Sequence, residues 1–255
     1  YSVLPDVFSL NALFAACILF IYLDPGPLRR YRYLLPLIFS IGLTHHLTLI
    51  FLMPVVLHVL WTERRDRRVW IGLGSGIVFF VGMYSSLMLF HPEAFWSWGN
   101  VVSFEAMVLH FLRTDYGTFK LVGTKETGSI IQNLSRLGLE TVTCFAPVLL
   151  TGIVALALRF KKSIKWTVVD YLLSLSIVFY VIVFFGLSNI NLIGFRLESL
   201  DRFFIFFQVL ACFWLGRQFA LVQFSRIVYA AIACVAIAGG AQSIGQTLSA
   251  QYLSQ

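Results

Sequence analysis

The sequence predicts an all-α protein, a polytopic transmembrane helical bundle of about eight spans. Three observations carry that expectation. Of 255 residues, 59% are hydrophobic and 12% charged, with a mean hydropathy of +0.84, a composition suited to a bilayer rather than to water. Apolar runs long enough to enter a ~30 Å hydrocarbon core recur along the chain. Basic residues gather in short loops between those runs. This positive-inside pattern accounts for the net charge of +7 and calls for no nucleic-acid partner.

Residues 3–23 form the first span, with Asp6 near its start and Asn11 inside it. In the D-P-G-P-L-R-R-Y-R connection, prolines and a glycine stop the helix, and Arg29, Arg30 and Arg32 mark the inner side. Residues 31–61 would run about 46 Å as one helix. T-H-H-L-T at 44–48 would then sit near the bilayer centre, where adjacent histidines are costly. One span would also put the basic loops at 29–32 and 63–68 on opposite sides. The expected arrangement is a hairpin of two short helices, 30–45 and 47–61, which brings His45 and His46 to the outer surface. Residues 69–90 cross next, with Gly72, Gly74 and Gly76 allowing close helix approach.

An outer, lumenal loop is expected over 91–137. Within it Phe104, Met107, Val108, Phe111 and Leu112 share one face at helical spacing, while Glu105, His110 and Arg113 lie mostly off it. That spacing predicts an interfacial amphipathic helix over 103–113. Ser103 suits its N-cap and Glu105 its first turn; Trp96 and Trp98 suit the headgroup layer. A loop that merely packs against the outer face accounts for the pattern equally well. Residues 138–160 return to the basic R-F-K-K-S-I-K segment at 159–165, and 166–188 cross outward. A mixed-charge outer loop follows at 188–202. Residues 203–216 with their flanks cross back, and 227–247 leave beyond Arg217 and Arg226.

Residues 1–255 thus read as a single transmembrane domain. Opening on Tyr1 without a visible leader, the chain is expected to be the later part of a longer module. Cys17, Cys144, Cys212 and Cys234 lie in apolar stretches without C-x-x-C spacing and read as small buried residues, with neither a disulfide nor a metal site.

On this topology polar groups from distant segments gather at the outer face: Asp6, His45, His46, Thr48, the 91–137 loop and the stretch from Arg196 to Arg202. A departing lipid phosphate needs cations or hydrogen-bond donors at headgroup depth. His45, His46, Arg113, Lys120 and Arg202 are of that type, with snorkelling to water or lipid as the competing role. Phosphate-loop, dinucleotide, H-E-x-x-H and nucleophile-elbow motifs are absent. The span centres carry almost no charge, which argues against a transporter. Asn133-Leu134-Ser135 in the outer loop is an N-glycosylation sequon.

Five segments resemble the transmembrane protein 260 family, protein O-mannosyltransferases of the GT-C type whose bacterial relatives form a membrane domain of unknown function. P-D-V-F-S-L-N-A-L-F (5–14) is similar to the family's acidic-V-F-S-L-N-x-L-F span start, and G-L-T-H-H-L-T (42–48) to its G-L-S segment rich in Asn, His and Thr. W-S-W-G-N (96–100) and H-F-L-R-T-D-Y-G-T-F-K-L (110–121) resemble its W-G-D and H-F-L-R-x-x-Y-G-T-F-x-L pair; L-D-R-F-F (200–204) resembles its acidic-R-F segment. Asn100 stands in place of the family's Asp, and Asp201 in place of Glu.

The resemblance implies a GT-C-like bundle and a polyprenyl (dolichyl) phosphate sugar as donor, with no prosthetic group. It implies Ser or Thr of a translocated acceptor protein as nucleophile, with a lumenal carboxylate as base. That carboxylate is expected upstream of this chain; Asp6 matches a later acidic position and is an auxiliary candidate. His45, His46, Arg113 and Arg202 are then the expected donor-phosphate residues, and Trp98, Asn100, His110 and Tyr116 the acceptor-side loop residues. Expected partners are membrane lipid, the lipid-linked sugar, the acceptor protein and other membrane subunits. The expected location is the endoplasmic reticulum, or the inner membrane of a bacterium. The alternative is a catalytically degenerate family member acting as a structural subunit of a membrane complex.

Overall fold

Among the described residues the apolar runs form helices, and no strand occurs. The computed structural model describes residues 7–89, 101–111, 130–186 and 197–222. They fall into two compact units, one within Tyr1–Asn133 and Val168–Leu210, the other within Leu134–Thr167 and Ala211–Gln255.

In the first unit α1 (Val7–Leu23) is followed by a 3₁₀ segment, Pro27–Leu34, and by α2 (Leu35–His45). The Asp24 carboxylate accepts from the Leu28 N–H at 2.7 Å and steadies the turn. Helix α2 stops at His46, whose backbone is extended (φ −154°, ψ 126°). A second 3₁₀ segment, Leu47–Leu52, leads into α3 (Met53–Thr62).

Side-chain contacts fix the directions. Arg32 Nη2 donates to the Tyr22 carbonyl at 2.6 Å, and the rings of Phe14 and His45 lie 6.5 Å apart. Helix α2 therefore runs antiparallel to α1. Asn11 meets Thr48, and the Tyr22 hydroxyl lies 3.0 Å from His58 Nδ1. The 47–62 stretch accordingly runs back alongside α1, and the chain reverses at His46.

Helix α4 (Arg67–Ser86) is capped by Asp66, whose carboxylate accepts from the Arg68 N–H at 2.9 Å. It lies along α2 with Gly72 and Gly76 at the contact. A Cβ at Gly72 would stand 2.7 Å from the Tyr33 carbonyl oxygen, and one at Gly76 2.7 Å from the Ser40 side chain; Gly74 faces open space. Of the three glycines expected to permit close approach, two do so. Gly72→Val is expected to cost about 1–3 kcal/mol, because the obstacle is backbone, whereas Gly74→Ala leaves stability unchanged or slightly raised. Thermal unfolding of the two variants in detergent checks this. An equal loss in both would remove the close approach as the cause.

Helix α5 (Phe104–Phe111) starts where the sequence places it. Ser103 Oγ accepts from the Ala106 N–H at 3.1 Å, and Glu105 occupies the first turn. Met107 is buried, with its sulfur 3.8 Å from Ser85 Oγ, and the Phe111 ring stands edge-on to Phe80 and Tyr84. Phe104, expected on the buried stripe, is exposed. One turn of the stripe packs on α4, and the first residue projects away.

Helix α6 (Ile130–Lys161) begins inside the stretch expected to be loop. Its first turns, I-I-Q-N-L-S-R-L-G-L-E, mix polar with apolar residues and hide the helical period from a hydropathy reading. The Asn133-Leu134-Ser135 sequon thus lies on helix. Helix α7 (Val168–Tyr180) continues as a π-helical turn, Val181–Gly186, and Tyr180 is buried between Phe51 (4.9 Å) and Phe206 (5.1 Å) of α8 (Leu197–Val222).

In the second unit the end of α8 packs on α6. Leu215 and Phe219 bury Ala155, and Leu215 lies directly over Gly152. Arg159, read from sequence as one of several loop cations, is 1% exposed. It donates to Gln218 Oε1, to the Lys165 carbonyl at 2.7 Å and to the Ile164 carbonyl at 3.2 Å, and lies 4.6 Å over the Trp166 ring.

Two helices among the described residues are long and apolar enough to cross a membrane, Arg67–Leu89 and Ile205–Val222; Ser9–Leu23, Leu47–Thr62 and Val168–Val183 are shorter apolar helices. Helix α4 leaves Val78 73% and Ile77 51% exposed, a surface that suits lipid better than water. Cys212, expected to be buried, also faces outward, while Cys17 is half-buried.

Candidate functional site

The polar residues that the fold brings together lie where the chain reverses. A polar side chain inside an apolar helix is tolerated when it is paired, and Asn11 on α1 is fully buried. Its Nδ2 donates to Thr48 Oγ1 at 2.8 Å. Thr48 Oγ1 in turn lies 2.7 Å from His46 Nδ1, and the Thr48 N–H donates to the same nitrogen at 3.2 Å. The His46 ring therefore caps the 3₁₀ segment that starts the return. Because Nδ1 accepts from the Thr48 N–H, the hydrogen-bond pattern assigns the proton of the neutral ring to Nε2.

The relay has a direction. Asn11 N–H points to the Thr48 oxygen, and with the ring proton on Nε2 the Thr48 O–H points to the imidazole. Bonds in such a chain polarise one another, and here they hold the ring so that Nε2–H is its donor. Asn11 Oδ1 is buried without a hydrogen-bond partner among the described residues, which leaves an acceptor beside the relay. His45, the last residue of α2, stands against Phe14.

The other expected site residues are less closely gathered. His110 sits half-buried in the last turn of α5, the helix that packs on the end of α4. Arg202 belongs to α8. Asp6, Trp98, Asn100, Arg113 and Tyr116 lie outside the described residues, as does the expected span 227–247. Asn11 was absent from the expected site set, although an Asn within an apolar span was the signal that it pairs with something.

A curated relative from Dictyostelium discoideum, named "Protein O-mannosyl-transferase tmem260", is 26% identical, the match covering 74% of this chain and 27% of the relative. The match supports the transmembrane protein 260 family. The chain spans about a quarter of the length of that relative. No family model matches, and no solved structure matches. The expectation of the transmembrane protein 260 family, made on five short segments, thus has a counterpart in a match over most of the chain.

Proposed function

We propose that the protein containing this chain is a GT-C-type glycosyltransferase, moving a sugar from a polyprenyl (dolichyl) phosphate donor to a Ser or Thr hydroxyl of a translocated protein. The observation that carries this reading is the match to the relative named O-mannosyl-transferase. The hydrogen-bonded polar residues at the hairpin corner are consistent with chemistry there. In an inverting transfer a carboxylate base, expected upstream, takes the hydroxyl proton as that oxygen forms its bond to the sugar's anomeric carbon. The bond from that carbon to the phosphate oxygen breaks, and the lipid phosphate leaves with the electron pair. Negative charge builds on the leaving phosphate, so a fixed donor aimed there accelerates departure.

His46 fits that task as a donor oriented through Thr48 and Asn11, and Arg202 fits it as a permanent cation. His45 and Arg113 complete the proposed phosphate set, while Trp98, Asn100, His110 and Tyr116 shape the acceptor side. Among the described residues the expected spans up to residue 222 lie largely in helix, which is in keeping with the proposed eight-span bundle that includes the hairpin. The membrane of the endoplasmic reticulum is the proposed location, with the hairpin turn facing the lumen.

The test is transfer from radiolabelled dolichyl phosphate mannose by the full-length protein in membranes, wild type against His46→Ala and Arg202→Ala at equal expression. Each variant is expected to lose on the order of 10²-fold in rate, as removal of one transition-state donor does elsewhere. A folded wild type inactive with a range of sugar donors and acceptors would overturn the reading in favour of a structural subunit.

A further inference from the structure

The opposite end of the first unit carries a second polar feature, about 22 Å (Arg32) to about 28 Å (Arg29) from His46 when the chain between them is measured at 3₁₀ and α-helical rise. The turn after α1 and the loop before α4 enclose a cleft of about 340 Å³. Arg29, Arg30, Arg32 and Arg68 line it, against only two carboxylates, Glu63 and Asp66. Asp66 is already committed. Arg68 grips it with Nε at 3.1 Å and Nη2 at 2.9 Å, and those hydrogen bonds hold its carboxyl below the usual carboxylate range. The remaining three arginines have no carboxylate within ion-pair distance among the described residues. Arg30 is stacked on Tyr31, with its Nη2 2.9 Å from the phenol oxygen, and Arg32 is tied to the Tyr22 carbonyl. Both guanidinium groups are thus pre-positioned, while Arg29 is exposed beside them.

We propose that this cleft is a binding site for a phosphate-bearing anion, of the kind an inner-leaflet lipid headgroup presents. Three guanidinium groups beside one uncommitted carboxylate leave the cleft net positive, and a phosphate dianion supplies both the opposite charge and the acceptor oxygens for forked N–H donors. The cavity is large enough for a headgroup. Basic pockets between helices on the inner side suit such lipids. Topogenic arginines alone need only lie on the correct side; they need not converge on a cavity. This site is independent of sugar transfer, because it lies at the other end of the helices from the histidine turn.

The test uses the full-length protein in detergent. Binding is measured to a soluble short-chain phosphatidylinositol phosphate, to the inositol phosphate headgroup alone and to inorganic phosphate. The variants are Arg29→Gln/Arg30→Gln and, as a control that removes the same charge from a basic loop that does not line the cleft, Lys161→Gln/Lys165→Gln. All four positions are exposed, so folding is expected to survive, and unchanged unfolding temperatures confirm it. The arginine pair is expected to weaken lipid binding by 10-fold to 100-fold, roughly tenfold for each charge-assisted contact, and the lysine pair by less than about threefold. Tighter binding of the lipid than of its headgroup assigns the anion to the membrane; equal binding assigns it to a soluble phosphate compound at the same site. Equal losses in the two double variants, or no saturable binding by wild type, would overturn the site and leave the arginines a topological role only.

Discussion

Arg159→Ala is expected to destabilise the second unit by about 3–5 kcal/mol, the size found when one member of a buried polar network is removed. The reason lies in what is left behind. Gln218 Oε1 and the carbonyls of Ile164 and Lys165 all accept from Arg159. Gln218 is fully buried, and an unsatisfied buried acceptor costs about 1–3 kcal/mol; the half-buried carbonyls lose their donor, and the stack on Trp166 is lost as well. The turn that these bonds hold is a demanding one. Ser163 has φ 52°, and Lys162 Nζ reaches the Val222 carbonyl at 2.8 Å to fasten the end of α6 to the end of α8. Arg159→Met fills most of the volume yet supplies no donor, so it is expected to recover little of the loss. Gln218→Leu removes one acceptor together with its need and should cost less than either. Denaturant unfolding of the detergent-solubilised protein, with hydrogen exchange over 211–222 as the local probe, measures all three. If Arg159→Ala falls within 1 kcal/mol of wild type, the clamp is ornamental.

That arginine also marks where sequence reading stops. In R-F-K-K-S-I-K it has the same charge and neighbours as the lysines around it, and charge bias counts all four alike. Only the register of α6 against Gln218, 59 residues away, removes one from solvent. The chain reversal at His46 is legible for the opposite reason. Two histidines in the middle of an apolar run and basic loops at both of its ends are local features: a single span would bury the first at a solvation cost and put the second on opposite sides of the membrane. The Ser103 cap is equally local and is found in place. The start of α6 is hidden because Gln132, Asn133 and Ser135 interrupt its apolar pattern. The pairing of Asn11 with Thr48 crosses 37 residues. Sequence announces that both need partners without saying that they are each other's.

If the relay at the chain reversal orients His46 for catalysis, the two residues must act as a unit. His46→Ala is expected to lower transfer by on the order of 10²-fold. Thr48→Val, nearly isosteric, removes the hydroxyl that Asn11 and the ring share, and is expected to cost about tenfold, the usual scale for loss of one neutral hydrogen bond when converted to rate. The two losses should not multiply. Once the imidazole is gone there is nothing for Thr48 to orient, so the double variant should match His46→Ala within about threefold, whereas independent residues would combine to about 10³-fold. Thr48→Ser keeps the hydroxyl and should restore most of the rate. Initial rates of mannosyl transfer by the four variants in membranes, at equal expression, distinguish the cases. Multiplicative losses would mean that Thr48 only stabilises the turn. An unchanged rate in Thr48→Val would mean that the ring is held for catalysis by something other than the Asn11–Thr48 pair.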